Sequence, residues 1–381
     1  MLKFFFIAAL CFLVSVISSK NPYPEKIKTG IFNRYNINGF AFSALEGDYY
    51  ILNNNGKIIK AIEPYEQILI EALNDKISIV FGDDTLLTNS IISISGKSFK
   101  NTFVINPSND SIAYRIYDDD LIIKNNNPYL TIINHVPFEN YIAAVVQSES
   151  GYGRHPEYYN LQATISRTYA VKNLNRHKNE GFELCDEVHC QAYYNKTLYP
   201  PIIFATEYTR GDIIIGENGH PINTVFHANC GGSTLNSENV WINASSYLKS
   251  VTDTFCLNKP GAKWEKTIPR ELLIQYLQNN LGKNFNDTLA DNIFNFTQLQ
   301  RKFFLDPFEI IHLSKFRTDF ELRSTFFDIV PTGDSLLIKG RGYGHGVGLC
   351  QEGAMGMAEE GISRDSIIRF YYKNAKLKVL D

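Results

Sequence analysis

From Lys28 to Asn134 short apolar runs alternate with polar turn clusters, the pattern of antiparallel strands joined by hairpins. Tyr49-Tyr50-Ile51-Leu52 precedes Asn53-Asn54-Asn55-Gly56, Ile77-Ser78-Ile79-Val80-Phe81 precedes Gly82-Asp83-Asp84, and Leu121-Ile122-Ile123 precedes Lys124-Asn125-Asn126-Asn127. At Pro137 the period changes. Phe138, Tyr141, Ile142, Val145 and Val146 recur at helical spacing behind a proline suited to the first helical position, and this helix ends near Gly151. A second helix is predicted from Pro156 to about His177, with Leu161, Ile165, Thr168 and Val171 on one face. Strands return between Ile202 and Ala228 and between Leu336 and Lys339. Glu265 to Asp319 is polar, with a helical stretch at Glu271 to Leu281, and reads as an insertion occupying about 265–330. The expected class is α+β, with a small β-rich N-terminal region over 20–120 and an α+β domain over 121–381.

The first residues belong to a different category. Met1, Leu2 and Lys3 lead into an apolar run from Phe4 to Ile17 that closes on Ser18 and Ser19, as in a secretory signal peptide over 1–19. An uncleaved anchor is the alternative, and lipidation at Cys11 fits poorly because Leu10 before it is not small. No later segment is long and apolar enough to span a bilayer, so no stable transmembrane anchor is expected. The protein is expected to be exported, to a periplasm, a cell surface or the medium.

Composition narrows the partners. A chain that is 44% hydrophobic and 20% charged is an ordinary globular one. A net charge of −3 without a dense Lys/Arg run argues against nucleic acid and against a membrane surface. The 22 Tyr and 26 Phe suit a β-rich core first and sugar stacking second. Five cysteines follow the leader, an odd number in an oxidising compartment. Cys185 and Cys190 flank His189, Cys230 and Cys256 are well separated, and Cys350 stands alone, which suggests a metal site plus one bridge.

Three blocks carry chemistry. The buried series 138, 142, 145 of the first helix arrives at Glu149, placing a carboxyl in the last turn of an otherwise apolar face. Partial burial raises a carboxyl pKa, which lets it act as a general acid near neutral pH; a helix-end Glu turned to solvent is the alternative. Cys185-Asp186-Glu187-Val188-His189-Cys190 packs two thiols and an imidazole into one loop, with His177 as a possible fourth ligand. That donor set favours tetrahedral zinc, against a Cys185–Cys190 disulfide. Gly340 to Gly348 holds five glycines but neither a P-loop Lys-Ser/Thr pair nor a Rossmann unit. Its glycines imply a backbone passing close to something, with His345 and Gln351 presenting polar ends there.

Four segments in order resemble the SpoIID family, the stage II sporulation protein D and LytB-type amidase-enhancer proteins. They are VPFENYIAAVVQSE with QATISRTYA; LCDEVHCQAY; TVFHANCGGSTLNSENVW with SYLKSVTD; and GRGYGHGVGLCQEGAMGMAEEG ending in FYY. The resemblance runs from about Leu121 to Leu377 with the insertion left out, so it makes 121–381 a SpoIID-like catalytic domain. It departs from the family at Cys350 and Glu352, where Ser and Tyr usually flank the Gln, and at Ala163-Thr164-Ile165-Ser166 in place of an Ala-rich helix.

The resemblance implies a lytic transglycosylase acting on peptidoglycan, cleaving between N-acetylmuramic acid and N-acetylglucosamine in glycan strands stripped of stem peptides. It implies Glu149 as the essential acid, Arg167, Gln191, His345 and Gln351 as residues that hold substrate, and a structural zinc at Cys185, His189 and Cys190, with His177 as the doubtful fourth ligand. A non-catalytic LytB-like glycan binder that stimulates a cell-wall amidase is the alternative. Zinc-dependent hydrolysis at the Cys/His loop is a third, disfavoured because catalytic zinc keeps an open position.

Overall fold

The computed structural model describes residues 23–241 and 243–380, so the leader expected over 1–19 lies outside it. Among the described residues there are eight α-helices and twenty strands, a mixed α+β architecture with a β-rich N-terminal region. The hairpins fall where alternation and turn chemistry put them. Tyr49–Asn53 pairs with Ile58–Ile62, Lys76–Phe81 with Asp84–Thr88, and Asp120–Asn125 with Leu130–Pro137, all antiparallel. In the first turn the Asn53 side chain accepts from the backbone of Asn55 and Lys57, each at 3.0 Å, the reason an Asn-rich run turns so readily.

Two sheets share one core. The seven-stranded sheet runs, edge to edge, Leu184–Cys185, Lys26–Ile31, Leu130–Pro137, Asp120–Asn125, Ile91–Gly96, Tyr49–Asn53, Ile58–Ile62. The six-stranded sheet runs Arg115–Asp118, Thr102–Pro107, Gly39–Glu46, Gln67–Leu73, Lys76–Phe81, Asp84–Thr88. Alternate residues such as Phe40, Phe42, Ile68, Ile70, Ile92, Ile94 and Ile123 are fully enclosed between them. Phe42 stacks on Phe103 at 5.2 Å, so much of the aromatic content serves this core. The larger sheet crosses residue 121: Lys26–Ile31 pairs with Leu130–Pro137 on one side and in parallel with Leu184–Cys185 on the other.

Helices α1 (Phe138–Ser150), α2 (Pro156–Asn173) and α3 (Pro200–Tyr208) pack on this layer. Helix α1 leaves the strand ending at Pro137 and stops at Gly151, whose φ of 66° lets its N–H return to Gln147 O. It is buried around nearly its whole circumference until Gln147. Helix α2 starts with Pro156 behind a His155 cap and ends at Asn173, short of His177, which sits in the turn that follows.

One predicted strand is a helix. The stretch beginning at Ile202 was expected to be extended, but Pro200 and Pro201 fix the first turn of α3, and Ile202, Ala205 and Thr206 bury one helical face. Only Asp212–Ile215 and Phe226–His227 are extended in that region.

A second core gathers around α2, α7 (Gln351–Glu359) and α8 (Arg364–Tyr371). The 265–330 insertion has a third core of its own, built by α4 (Arg270–Leu281), α5 (Asp287–Phe294) and α6 (Leu313–Asp319) against strands Lys263–Pro269, Phe327–Thr332 and Ser335–Arg341. The last of these strands delivers the chain into the glycine-rich phrase.

Candidate functional site

Glu149 sits in the last turn of α1, half-buried, where the helix emerges from the core. Its Oε1 accepts from Ala192 N at 3.0 Å. Burial raises its pKa and the Ala192 bond only partly offsets this, the condition expected from the spacing. Gln351, the first residue of α7, donates from Nε2 to Glu149 O at 3.4 Å. The end of the glycine-rich block thus reaches the backbone carbonyl of Glu149 and not its carboxyl. A cleft of about 310 Å³ opens at the other end of α1, lined by Asp118, Asp119, Asn140, Lys196 and Glu207 among others; Glu149 is not on its wall.

The backbone that holds Glu149 is prepared by the Cys/His loop. Cys185 lies in the short strand paired with Gly30, and the chain turns back through His189 and Cys190. One ligand atom from each of His177, Cys185, His189 and Cys190 lies within 4.8 Å of all the others. Cys190 Sγ is 3.3 Å from His177 Nε2, and Cys185 Sγ is 3.5 Å from His189 Nε2. His177 is therefore the fourth member of the set. Its Nδ1 faces Glu180 Oε1 at 2.5 Å, a carboxylate on the outer nitrogen of the kind that orients a ligand imidazole. Two residues beyond Cys190 comes the Ala192 N–H on Glu149, and Tyr169 Oη donates to His189 O at 3.0 Å.

Arg167 and Gln191, expected to hold substrate, are both enclosed and engaged by the protein itself. Arg167 donates to both oxygens of Glu139, at 2.9 and 2.7 Å, and to Thr206 O at 3.0 Å. Gln191 accepts from Tyr141 Oη and donates to Ser166 O, both at 3.2 Å, which fixes the chain between Cys190 and Ala192. Arg167 therefore pairs with Glu139, and Glu149 has no cationic partner among the described residues.

His345 is also turned inward. Its Nε2 lies 2.9 Å from Phe226 O and its Nδ1 accepts from Val347 N at 3.1 Å, which sets the Nε2–H tautomer. Burial lowers its pKa to about 4, so it is neutral at pH 7. Its neighbours in the phrase pass against the chain itself: Gly348 has φ 71°, and a Cβ there would fall 2.2 Å from Val225 O. Gly342, Gly344 and Gly348 approach the 225–231 segment, whereas Gly340 lies against the Trp264 ring. Exposed rings stand on the same blocks. Tyr152 is 62% exposed three residues after Glu149, Tyr343 is 47% exposed two before His345, and Trp241 lies 5.2 Å from the His345 ring. For Tyr343 and Trp241 their place inside the matching phrases is the only signal, and Tyr152 lies outside them.

None of the five described cysteines is bridged, so the expected single disulfide is replaced by something else. Cys230 and Cys256 have sulfurs 3.4 Å apart, and Cys350, which stands alone in sequence, joins them together with Asp253.

Comparison with known proteins agrees with the phrases. The SpoIID family, Stage II sporulation protein, matches residues 126–215. The chain is 28% identical to the Stage II sporulation protein D of Bacillus subtilis (strain 168), an alignment covering 65% of this chain and 76% of that one. It is 27% identical to an uncharacterized protein of Brachyspira hyodysenteriae, over 86% and 89% of the two chains. It is also 27% identical to the Amidase enhancer of Bacillus subtilis, covering 58% of this chain and 39% of that protein.

Proposed function

We propose that this chain, a member of the SpoIID family, is an exported lytic transglycosylase that cuts peptidoglycan glycan strands between N-acetylmuramic acid and N-acetylglucosamine. The observation that carries this reading is Glu149: a half-buried carboxyl with a raised pKa, held on one oxygen by Ala192 N–H and, among the described residues, facing no cation that would force it to ionise. With Oε1 accepting from Ala192, the proton resides on Oε2 and is delivered from there to the glycosidic oxygen. The resulting carboxylate then takes the proton from the primary hydroxyl of the muramic residue, whose oxygen closes on the anomeric carbon. One carboxyl serves both steps, so the carboxylate pair of ordinary glycosidases is not required. Tyr152, Tyr343 and Trp241 offer the flat apolar faces that sugar rings stack on.

His177, Cys185, His189 and Cys190 fit a structural zinc, two thiolates and two imidazoles with the Glu180 carboxylate behind one imidazole. The metal would supply no chemistry to the reaction; it would hold the loop that presents Ala192 N–H. Cys190→Ser is therefore expected to lose the zinc bound at this loop, and chelation to lower thermal stability before it lowers the rate per folded molecule. A Cys185–Cys190 disulfide found by peptide mapping would reject the site.

The decisive experiment digests peptide-free glycan strands and reads the products by mass spectrometry. Anhydro-muramic ends are expected; reducing ends would replace the reading by hydrolysis. The similarity to an amidase enhancer favours one other reading, a glycan-binding partner that stimulates an amidase without cutting. It predicts intact strands, binding, and faster release of stem peptides when an amidase is added.

A further inference from the structure

The residues that replace the expected disulfide form a second constellation, remote in sequence from the Cys/His loop. Cys230 follows the short strand Phe226–His227, Asp253 and Cys256 lie in the loop before the insertion, and Cys350 caps α7. All four are fully enclosed. One ligand atom from each lies within 4.8 Å of the others, with Cys230 Sγ 3.4 Å from Cys256 Sγ and 3.3 Å from Asp253 Oδ2. Sulfur and oxygen ligands in a zinc tetrahedron stand roughly 3.3–3.8 Å apart.

The surroundings suit anionic ligands. Cys230 N and Gly353 N both point at Cys350 Sγ, at 3.2 and 3.3 Å, and a neutral thiol sulfur is only a weak acceptor. Tyr371 Oη donates to Asp253 Oδ2 at 2.8 Å and Phe255 N to its Oδ1 at 3.0 Å, fixing the carboxylate as outer partners of a metal ligand do. A Cβ on Gly353 would fall 2.2 Å from Asp253 Oδ2, so glycine is needed for the carboxylate to enter. Arg301 donates to Cys230 O, keeps an enclosed Nε without a partner, and forms no ion pair among the described residues. Three thiolates and a carboxylate around a divalent ion leave net negative charge, and this guanidinium is placed to offset part of it.

We propose that Cys230, Asp253, Cys256 and Cys350 bind a second zinc ion, independent of the one at the Cys/His loop, which clamps the root of the glycine-rich phrase. Cys350 precedes Gln351, whose side chain reaches the backbone carbonyl of Glu149, so the clamp fixes the residue that braces the end of α1. The rival is a Cys230–Cys256 disulfide. That bond would bring the sulfurs to about 2.05 Å and leave Cys350 a lone enclosed thiol with two N–H groups aimed at it.

The full chain, purified without chelator, is expected to carry two zinc ions by elemental analysis and native mass spectrometry. Cys185→Ser with Cys190→Ser should remove one and keep the other, so the second site is read even if the first is misassigned. Cys350→Ala should remove only the second. Cobalt loading guards against a variant that fails to fold: the wild type should show thiolate-to-cobalt charge transfer that falls by less than half in the Cys185→Ser, Cys190→Ser protein. Absence of metal from that double variant, or a Cys230–Cys256 disulfide in peptide maps of protein prepared without oxidant, would overturn the site.

Discussion

Glu149→Gln is expected to lower turnover on peptide-free glycan strands by at least ~10²-fold while glycan binding persists. Glutamine keeps the shape of the side chain and an oxygen for Ala192 N–H, but it carries no transferable proton. The same substitution should leave the fold at least as stable at neutral pH. Glu149 has a raised pKa in the folded protein, so its contribution to stability is fully present below the unfolded value of about 4.3 and is lost as pH rises through the folded value. At neutral pH the wild type bears the cost of a half-buried charge or of holding a proton against the solution, and the amide bears neither. The activity profile should fall on the alkaline side of the same titration, because the protonated form is the acid. His345, with a pKa of about 4, is already neutral on the alkaline side and should add no limb there. Turnover that survives Glu149→Gln, or stays flat with pH while chemistry limits the rate, would remove Glu149 from the reaction. Lost folding in the variant would make the carboxyl structural, although the structure gives it no cationic partner among the described residues.

What the sequence makes legible here is what local spacing controls. The three hairpins follow from apolar runs broken by Asn-Gly, Gly-Asp and Asn-Asn-Asn-Pro clusters, and the placing of Glu149 follows from helical spacing that begins at Phe138. His177 is legible as a candidate because it is close in sequence, and only the turn after α2 decides that its Nε2 faces Cys190. Long-range pairing is where the reading stops. Arg167 lies in a phrase that promises function, yet its guanidinium is held by Glu139 on a different helix, which spacing could not show. Gln191 neighbours the metal loop, but burial against Tyr141 and Ser166 turns it inward. Ile202-Ile203-Phe204 looks like a strand by composition, and the two prolines before it decide otherwise through the backbone. Cys350 is the clearest case. Nothing nearby in sequence marks it as one of four, because its partners arrive from residues 230, 253 and 256 only when the strands Phe226–His227 and Leu349–Cys350 pair.

Removing the Arg167 side chain should have the largest effect on stability, and its readout separates structure from substrate binding. The guanidinium joins three helices' worth of polar groups: both oxygens of Glu139 in α1, Thr206 O in α3 and Asp212 O beyond it, all from the centre of α2. Arg167→Leu would leave the Glu139 carboxylate buried without a counter-charge and take one donor from each of the Thr206 and Asp212 carbonyls. Breaking a buried pair from one side costs about 3–5 kcal/mol. Arg167→Lys should recover little, since a point charge cannot serve two carboxylate oxygens and two carbonyls in the plane of a fork. Glu139→Leu combined with Arg167→Leu should recover a substantial part of the loss, because neither charge is then left alone in the core. Urea denaturation of the four proteins measures this directly. If Arg167 instead met the glycan, Arg167→Leu would unfold at the wild-type midpoint and show its defect as a raised KM, and the double variant would bring no recovery. The geometry, with Arg167 completely enclosed, favours the first outcome.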